Sequence, residues 1–511
     1  MPTYLSPGVY VEEVEAGSRP IEGVGTAVAA FVGLATEGPF NTPTLVSNWS
    51  QFTKQFGEFV PGSYLAHAVF AYFANGGGIC YVVRVGEDGS KGDGKKELPA
   101  SAQASLGGYR VRALDGGPKG NDITVEVADA GGQTPADDSF KLVVKRDGKT
   151  VETFDGVTVK RGRQNVVTVV NAESKVIRVE EAGSGSALAR PEKGAVALTG
   201  GSSEPHPARL TTEDYVGDPA ERTGFGGLEA VDEITMVCVP DLLAAYQQGM
   251  VDLEAVQAVQ QAMITHCELM GDRIAILDPP PGLNAQQIKE WRQDKSRYDS
   301  RYAAMYWPWV KVFDPASGSN RFVPPSGHVA GIWSRSDDTR GVHKAPANEV
   351  VRGALALELQ ITKAEHDLLN PVGINCLRSF PGRGIRVWGA RTLSSDPAWR
   401  YLSVRRLFNY LEESILNGTQ WVVFEPNDHA LWAKIRRTIA AFLVNEWRKG
   451  ALFGLTPTEA FYVKCDEETN PAEGIDAGQV VCEIGVAPVK PAEFVVFRLA
   501  QFSGGTSLVN E

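Results

Sequence analysis

The sequence predicts an α/β protein that carries a small all-β insertion and a separate C-terminal region. Apolar strand-like runs alternate with helical runs over residues 20–85 and again from Ile234 to Val312, which indicates the α/β part. Short β-rich runs between Tyr109 and Leu198 are separated by Gly, Asp and Asn turns, which indicates the insertion. The core is therefore predicted to be a mixed sheet with flanking helices.

The first part of this core is predicted from three runs. Ala27–Leu34 is a buried strand, Ser63–Asn75 is a helix and Ile79–Val85 is a second strand. At Gly86 the composition changes to a Gly-, Lys-, Asp- and Ser-rich stretch that has little apolar surface to bury. Such a stretch is typical of a linker.

The insertion follows this linker, and a second break at Thr199–Ala208 closes it. Its predicted strands are Ile123–Val127, Phe140–Lys145, Val166–Val170, Val176–Val179 and Ala195–Leu198. The α/β pattern then resumes, with strands predicted at Ile234–Val239, Arg273–Leu277 and Ala303–Val312 and helices at Leu253–Met270 and Ala285–Tyr298.

The C-terminal region has clear helix boundaries. Asp396 followed by Pro397 predicts a helix start, and Asn417-Gly418 predicts its end. A strand is predicted at Trp421–Glu425, and a second helix is predicted from Asn427 and Asp428 to Lys449.

Two stripes run along this second helix. The stripe that should be buried consists of Leu431, Ile435, Ile439, Phe442 and Trp447. The other stripe contains Lys434, Arg437 and Arg448 and forms a cationic face, which we interpret as a contact for an acidic partner. Ordinary helix-surface charge is the alternative, and the helix dipole explains Arg448 locally.

Both ends of the chain contain short apolar strands without a hairpin partner. Gly8–Val14 and Phe494–Leu499 have this character. Unpaired strands are normally blunted or covered in a soluble monomer, so intact ones suggest pairing with another copy of the chain. The predicted strand-exchange residues are Val9, Val11, Val14, Phe494, Val496 and Phe497.

Composition excludes several classes of protein. The 511-residue chain has a net charge of −12, which argues against general nucleic-acid binding, although residues 376–450 carry +6. The apolar stretch Thr26–Ala35 is too short to span a membrane, so no direct membrane insertion is expected. Six cysteines without a CxxC pair fit reduced thiols and a cytosolic compartment.

Motifs of catalytic or metal sites are not found in the sequence. It contains no HExxH, Walker A or GxSxG motif, and His266, Cys267 and Cys238 lack the spacing of a zinc site. We therefore expect no enzyme activity, no cofactor and no metal. Two alternatives stay open: an α/β hydrolytic enzyme, supported by the alternating core and the strand-end Asp278, and a capsid-like or surface-array protein, which would also use strand exchange.

Several long segments resemble the contractile tail sheath proteins of bacteriophages and phage-like contractile injection systems. The resemblance covers residues 1–85 and 209–511. It rests on Thr3–Val14, Gly38–Gly57, Phe73–Val85, Ser394–Ile415, Trp421–Asp428 and Phe461–Pro471.

The resemblance implies a structural subunit that stacks in six-fold rings around an inner tube. Contraction of the helical assembly would drive that tube through a target envelope, and the terminal arms would add strands to neighbouring subunits. The implied partners are other copies of the chain, the inner tube protein, and baseplate and cap proteins. Assembly is expected in the cytoplasm, as part of a phage tail or a phage-like particle.

The domain division that follows has an α+β C-terminal sheath domain beside the α/β core. We assign residues 1–22 to an N-terminal strand-exchange arm, 23–88 and 208–375 to the core, 89–207 to the inserted surface domain, 376–488 to the C-terminal domain and 489–511 to a C-terminal strand-exchange arm.

Overall fold

The computed structural model describes residues 20–86, 102–114, 118–131, 139–146, 148–160, 162, 164–181, 190–200 and 210–498. The strands in these ranges are β1 Ala29–Gly33, β2 Thr44–Val46, β3 Cys80–Arg84, β4 Gln103–Leu106, β5 Tyr109–Ala113, β6 Ile123–Asp129, β7 Ser139–Arg146, β8 Lys149–Thr158, β9 Ile177–Glu181, β10 Gly194–Ala197, β11 Met236–Cys238, β12 Ile274–Leu277, β13 Ala303–Trp307, β14 Val310–Asp314, β15 Ser319–Val323, β16 Ala356–Leu357, β17 Ile374–Phe380, β18 Gly384–Val387, β19 Phe461–Lys464 and β20 Glu483–Val486. The helices are α1 Trp49–Phe56, α2 Leu65–Asn75, α3 Val166–Glu173, α4 Thr212–Val216, α5 Asp241–Gln247, α6 Leu253–Met270, α7 Ala285–Glu290, α8 Ser326–Arg340, α9 Lys363–Leu369, α10 Leu402–Gly418, α11 His429–Arg448, α12 Pro457–Ala460 and α13 Ala472–Asp476.

The core is an eight-stranded mixed sheet with the order β18-β17-β13-β12-β11-β1-β3-β2. The six inner strands are parallel, and the edge strands β18 and β2 are antiparallel to their neighbours. Both faces are covered, since one hydrophobic cluster lies on each side of the sheet. The mixed α/β core predicted from the sequence is confirmed.

Helices α2 and α8 cross on one face of this sheet at very short range. A Cβ atom added at Gly327 would lie 2.4 Å from Ala68 Cα, and one added at Gly331 would lie 2.4 Å from the Tyr72 carbonyl oxygen. The two glycines therefore permit the backbones of the helices to touch. Any larger residue at either position would push α8 away from α2.

The described residues of the inserted region form two antiparallel sheets and one α-helix. A four-stranded sheet has the order β10-β6-β7-β8, and a three-stranded sheet has the order β4-β5-β9. Val166–Val170, predicted as a strand, lies instead in helix α3, because the Asn165 side chain accepts hydrogen bonds from the main-chain nitrogens of Val167 and Thr168. An N-cap in this position overrides the weak strand preference of a valine run.

Two other predicted elements differ from the structure. Ala303–Val312 is divided at Pro308 into β13, in the central sheet, and β14, which begins a three-stranded sheet with β15 and β16. Pro cannot donate to a ladder, so it ends the first strand. Trp421–Glu425 is no strand: residues Gln420–Val422 form a 3-10 turn, and Phe424 has a positive φ of 68°.

The C-terminal region packs α10 and α11 beside the hairpin β19–β20. Leu431, Ile435, Ile439 and Phe442 are buried, as the predicted stripe requires, whereas Trp447 is half-buried. Asp428 caps α11 by accepting from the main-chain nitrogen of Leu431 at 2.8 Å. Strand β17 belongs to the central sheet, so the predicted boundary between residues 375 and 376 falls inside a core strand.

Candidate assembly interface

The hairpin β19–β20 has free edges among the described residues. Its strands pair antiparallel from Phe461 opposite Val486 to Lys464 opposite Glu483, and no third strand joins them there. One face packs on the cluster around α11, through Phe461, Val463, Ile484 and Val486. On the other face, 59% of the Tyr462 side chain is exposed. A two-stranded hairpin of this kind can accept a further strand.

Main-chain hydrogen bonds continue beyond the hairpin. Ala487 donates to the Ala460 carbonyl at 2.8 Å and accepts from Phe453 at 2.7 Å, and Val489 donates to the Ala451 carbonyl at 3.2 Å. The neighbouring side chains of Phe453 and Leu455 are largely exposed. The hairpin therefore lies beside an apolar surface that the described residues leave uncovered.

The C-terminal arm extends from this region. The side chains of Phe494, Val496 and Phe497 are 74%, 75% and 86% exposed, and residues 494–498 join no ladder within the described ranges. The strand predicted at Phe494–Leu499 is thus unpaired in the single subunit, and its last residue lies outside the described ranges. Val9, Val11 and Val14 of the N-terminal arm also lie outside the described residues.

The three basic candidates share one side of α11 but differ in their surroundings. Arg437 and Arg448 are exposed. Lys434 is partly buried, and its Nζ lies 4.1 Å from the centre of the Trp421 ring. Such a cation–π contact holds the ammonium group in place without removing its charge. Arg436 points elsewhere and donates to the Cys465 carbonyl oxygen at the end of the hairpin.

A buried ion pair, which the sequence pattern did not single out, joins α10 to the core. Arg406 donates to both carboxylate oxygens of Asp337 on α8, at 2.9 and 2.5 Å, and both side chains are almost fully buried. Thr26 completes the cluster, since its hydroxyl donates to Asp337 at 2.7 Å and its carbonyl accepts from Arg406 at 3.0 Å. The cluster holds the root of the N-terminal segment where it enters β1.

Two buried carboxylates occupy the carboxyl edge of the central sheet, where open α/β sheets usually bind ligands. Asp241 follows β11 and accepts from the main-chain nitrogens of Leu34, Tyr64 and Leu65. Asp278 follows β12 and accepts from Ser326 N, at the start of α8, at 2.9 Å. Each carboxylate thus caps a helix supplied by another part of the chain.

Burial raises the pKa of Asp278 to about 7, and the hydrogen bonds from Ser326 lower it only in part. Burial likewise raises the pKa of Asp241 to about 6. A raised carboxyl pKa means that the folded state binds protons more tightly than the unfolded state does. The stability gained by protonating Asp278 is therefore complete below pH 3.8, the ordinary value, and is lost as the pH rises through about 7.

We expect the variant Asp278→Asn to lose this pH dependence. The amide oxygen still accepts from Ser326, but the group no longer ionises. The free energy of unfolding of wild type, relative to the variant, should fall by up to about 1.4 kcal/mol for each pH unit between pH 4 and 7. Thermal unfolding of both proteins across this range is the measurement, and parallel curves would contradict it.

Other chemically active side chains are buried in the core or spread apart. His266 and Cys267 lie inside α6, and burial lowers the pKa of His266 to about 4. Within the described ranges, no three His, Cys, Asp or Glu side chains are grouped as metal ligands would be. None of the helices in the described part of the chain has both the length and the apolar character of a membrane span.

Comparison with family models matches two adjacent segments. Residues 210–393 match the phage tail sheath protein central domain, and residues 394–502 match the phage tail sheath C-terminal domain. The hairpin, α11 and the described part of the C-terminal arm all lie in the second segment, and the carboxylates Asp241 and Asp278 lie in the first.

The curated relatives that this chain matches are also tail sheath proteins. The chain is 25% identical over 516 residues to the tail sheath protein of Burkholderia phage BcepMu, covering 96% of this chain and 95% of that protein. It is 26% identical over 395 residues to the tail sheath protein of Vibrio phage KVP40, covering 71% of this chain and 55% of that protein. The chain thus spans about half the length of the Vibrio phage relative.

Solved structures with a similar fold include two sheaths in the contracted state. The helical sheath of the anti-feeding prophage superposes with a TM-score of 0.60 at 24% identity, covering 98% of this chain and 100% of that chain. The sheath complex of the PVC extracellular contractile injection system superposes with a TM-score of 0.58 at 22% identity, covering 98% and 99%.

Proposed function

The chain belongs to the phage tail sheath protein family, and from this premise we propose that it is the structural subunit of a contractile sheath. The subunit polymerises helically around an inner tube, and contraction drives the tube through a target envelope. The observation that carries the proposal is the exposed C-terminal arm in the same domain as a hairpin with free edges. Each subunit offers both a strand to donate and a sheet to receive one.

The proposed architecture has a central α/β domain, a β-rich insertion at residues 89–207 and a C-terminal α+β domain. The junction of the two family models, between residues 393 and 394, is the better boundary between the central and C-terminal domains, because β17 and β18 both belong to the central sheet. Residues 1–22 and 489–511 act as strand-exchange arms.

Donated strands allow the subunits to move while they stay connected. Main-chain hydrogen bonds between an arm and its acceptor sheet depend little on small rotations of the bodies they join. The sequence predicts flexible joints at residues 15–22 and 484–492. Residues 15–19 lie outside the described ranges, and Ile21 is buried in the cluster around α11. In the structure, β20 and the bonds of Ala487 and Val489 extend through most of the second segment, so within it only residues 490–492 lie beyond these bonds.

We also propose that Lys434, Arg437 and Arg448 face an acidic inner tube in the extended state. The supporting observation is that Arg437 and Arg448 are exposed on the side of α11 that carries Lys434. Baseplate and cap proteins would hold the two ends of the sheath. Assembly would take place in the cytoplasm, within a phage tail or a phage-like particle.

Reversal of these three charges should weaken loading of the sheath onto tubes. The variant combines Lys434→Glu, Arg437→Glu and Arg448→Glu, and like charges would then oppose each other across the interface. Co-sedimentation with the inner tube at low and high salt is the measurement. A matched control reverses three exposed lysines elsewhere, Lys149, Lys295 and Lys363, and equal loading of both variants would refute the assignment.

The enzyme alternative receives no support from the residue on which it was based. Asp278 is buried and bound to the main chain of α8, so it acts as a helix cap. The family of the chain is one of structural sheath proteins. A hydrolytic role would need a carboxylate that can reach a substrate.

Negative-stain electron microscopy tests the proposed function. The protein is expressed alone and together with its candidate inner tube protein. We expect hollow striated tubes in both samples, wider in the absence of the inner tube. Monodisperse monomers in both would refute the proposal, and closed shells or flat sheets would favour a capsid-like or surface-array protein.

A further inference from the structure

The base of the C-terminal arm is fixed to the central domain by the side chain of Glu493. Its Oε1 accepts from Arg391 Nε at 2.8 Å and from Asn370 Nδ2 at 3.1 Å, and its Oε2 accepts from Arg391 Nη2 at 2.5 Å. This is the two-pronged geometry in which a guanidinium group binds a carboxylate most strongly. Three side chains from two domains therefore meet at one point.

Further hydrogen bonds hold Arg391, which binds Glu493, in place. The main-chain nitrogen of Arg391 donates to Asn375 Oδ1 at 2.7 Å, and Asn375 Nδ2 donates back to the Arg391 carbonyl at 2.8 Å. Arg391 Nη1 also donates to the Asn370 carbonyl at 3.1 Å. Arg391 is 7% exposed and Asn375 is fully buried. Without Glu493, the guanidinium group would be a nearly buried cation that lacks its carboxylate, which is unfavourable.

Glu493 is ionised at neutral pH. Burial raises its pKa, but the hydrogen bonds from Arg391 and Asn370 and the positive charges of Arg391 and Arg400 outweigh that effect, and the pKa lies below its usual value. The Glu493 carboxylate that Arg391 binds is therefore negatively charged under physiological conditions.

The location of Glu493 along the chain determines how the contact affects the arm. It immediately precedes the exposed apolar residues 494–497, and it follows the last main-chain hydrogen bond of the arm, at Val489. To pair with its own hairpin, strand 494–498 would have to turn back through residues 487–493. Those residues are already held, at Ala487 and Val489 by the C-terminal domain and at Glu493 by the central domain.

We infer that Glu493, Arg391 and Asn370 form an anchor that prevents the arm from adding to the hairpin of its own chain. Strand 494–498 is then available only to another copy. This inference rests on the proposed strand exchange. It explains how a subunit that has both a strand to donate and a hairpin to receive one avoids pairing the two with each other. It also sets the point from which the arm leaves the subunit.

Cross-linking distinguishes pairing within a chain from pairing between chains. Cysteines are introduced as Tyr462→Cys on the hairpin and Val496→Cys on the arm, in a Cys482→Ser background, and oxidised with copper phenanthroline. Bonds between chains give ladders on a denaturing gel, and bonds within a chain give a monomer of altered mobility. The anchor is removed by Glu493→Ala, and Lys490→Gln is the control in the same arm.

We expect ladders and tubes from the background protein and from Lys490→Gln. Glu493→Ala should increase the within-chain product about tenfold, which corresponds to about 1.4 kcal/mol, with a matching loss of tubes. The charge-swapped pair Glu493→Arg with Arg391→Glu should restore ladders in part. Ladders and tubes from Glu493→Ala at the level of the background would overturn the anchor.

A second measurement separates the anchor from the proposed function. Chymotrypsin cleavage after Phe494 reports how firmly the arm base is held in the monomer, and Arg391→Gln releases it without altering the cleavage sequence. Faster cleavage in Arg391→Gln and Glu493→Ala supports the anchor, and rates equal to wild type overturn it. Absence of tubes from wild type would refute only the sheath function, because the cleavage rates do not depend on assembly.

Discussion

Replacing the apolar side chains of the C-terminal arm with aspartate should abolish tube formation and leave the subunit folded. The variant combines Phe494→Asp, Val496→Asp and Phe497→Asp. All three side chains are mostly exposed in the single subunit, so their loss removes little buried surface from the fold. In the assembly they would lie against a neighbouring sheet, where a buried unpaired charge is strongly unfavourable.

Electron microscopy and thermal unfolding of the same preparations measure this effect. A conservative variant with Phe494→Leu, Val496→Ile and Phe497→Leu keeps the arm apolar and should still form tubes. Deletion of residues 1–14, which removes Val9, Val11 and Val14, should give the same folded, non-polymerising subunit. Normal tubes from the aspartate variant would show that the arm does not join subunits.

Loss of one partner of the buried Asp337–Arg406 pair should strongly destabilise the fold. In Asp337→Ala, the almost fully buried Arg406 guanidinium loses its carboxylate and keeps the Thr26 carbonyl oxygen and the Trp333 ring, whose centre lies 4.8 Å away. Removing one member of a buried ion pair typically costs about 3–5 kcal/mol. Replacement of both residues by apolar ones, as in Asp337→Leu with Arg406→Met, should cost less, because no buried charge is left unpaired.

Denaturant unfolding of the monomer measures both variants. The exposed pair between Lys464 and Glu468 is the control, and Lys464→Ala should leave the unfolding midpoint almost unchanged. If Asp337→Ala unfolds at the same denaturant concentration as wild type, the pair does not hold the two domains together. A larger loss from the double replacement than from Asp337→Ala would contradict the argument about unpaired charge.

The two arms leave the subunit from sites of the same kind. The N-terminal segment is tied at Thr26 to the buried pair of Asp337 and Arg406. The C-terminal segment is tied at Glu493 to the nearly buried Arg391. Each root is thus held by an arginine and a carboxylate at the border between the central and C-terminal domains. If the arms exchange strands as proposed, such fixed roots would keep the starting points of the arms constant while subunits rotate against one another.

Local sequence signals were sufficient for much of the secondary structure. Asp428 caps α11 at the predicted position, and α10 ends at the predicted Gly418. The predicted start at Asp396 and Pro397 is wrong for α10, which begins at Leu402, because Asp396 caps only the short 3-10 turn Pro397–Trp399. The same signals failed at Val166–Val170, where a run of valines forms a helix behind the Asn165 cap. They also failed at Trp421–Glu425, where an apolar run turns sharply at Phe424. Both failures occur in short segments, in which a single cap or turn outweighs residue preference.

The sequence by itself determined the family, the alternation of strands and helices in the core, the cationic stripe of α11 and the apolar character of the two arms. These features depend on residues close together in the chain, where periodicity, caps and turns are encoded. Only the tertiary structure decided which groups hold the arms. Arg391 and Glu493 are 102 residues apart, and Arg406 and Thr26 are 380 apart. Such partners are chosen by burial in a shared core, because a charge removed from water must find whatever opposite charge the fold brings beside it.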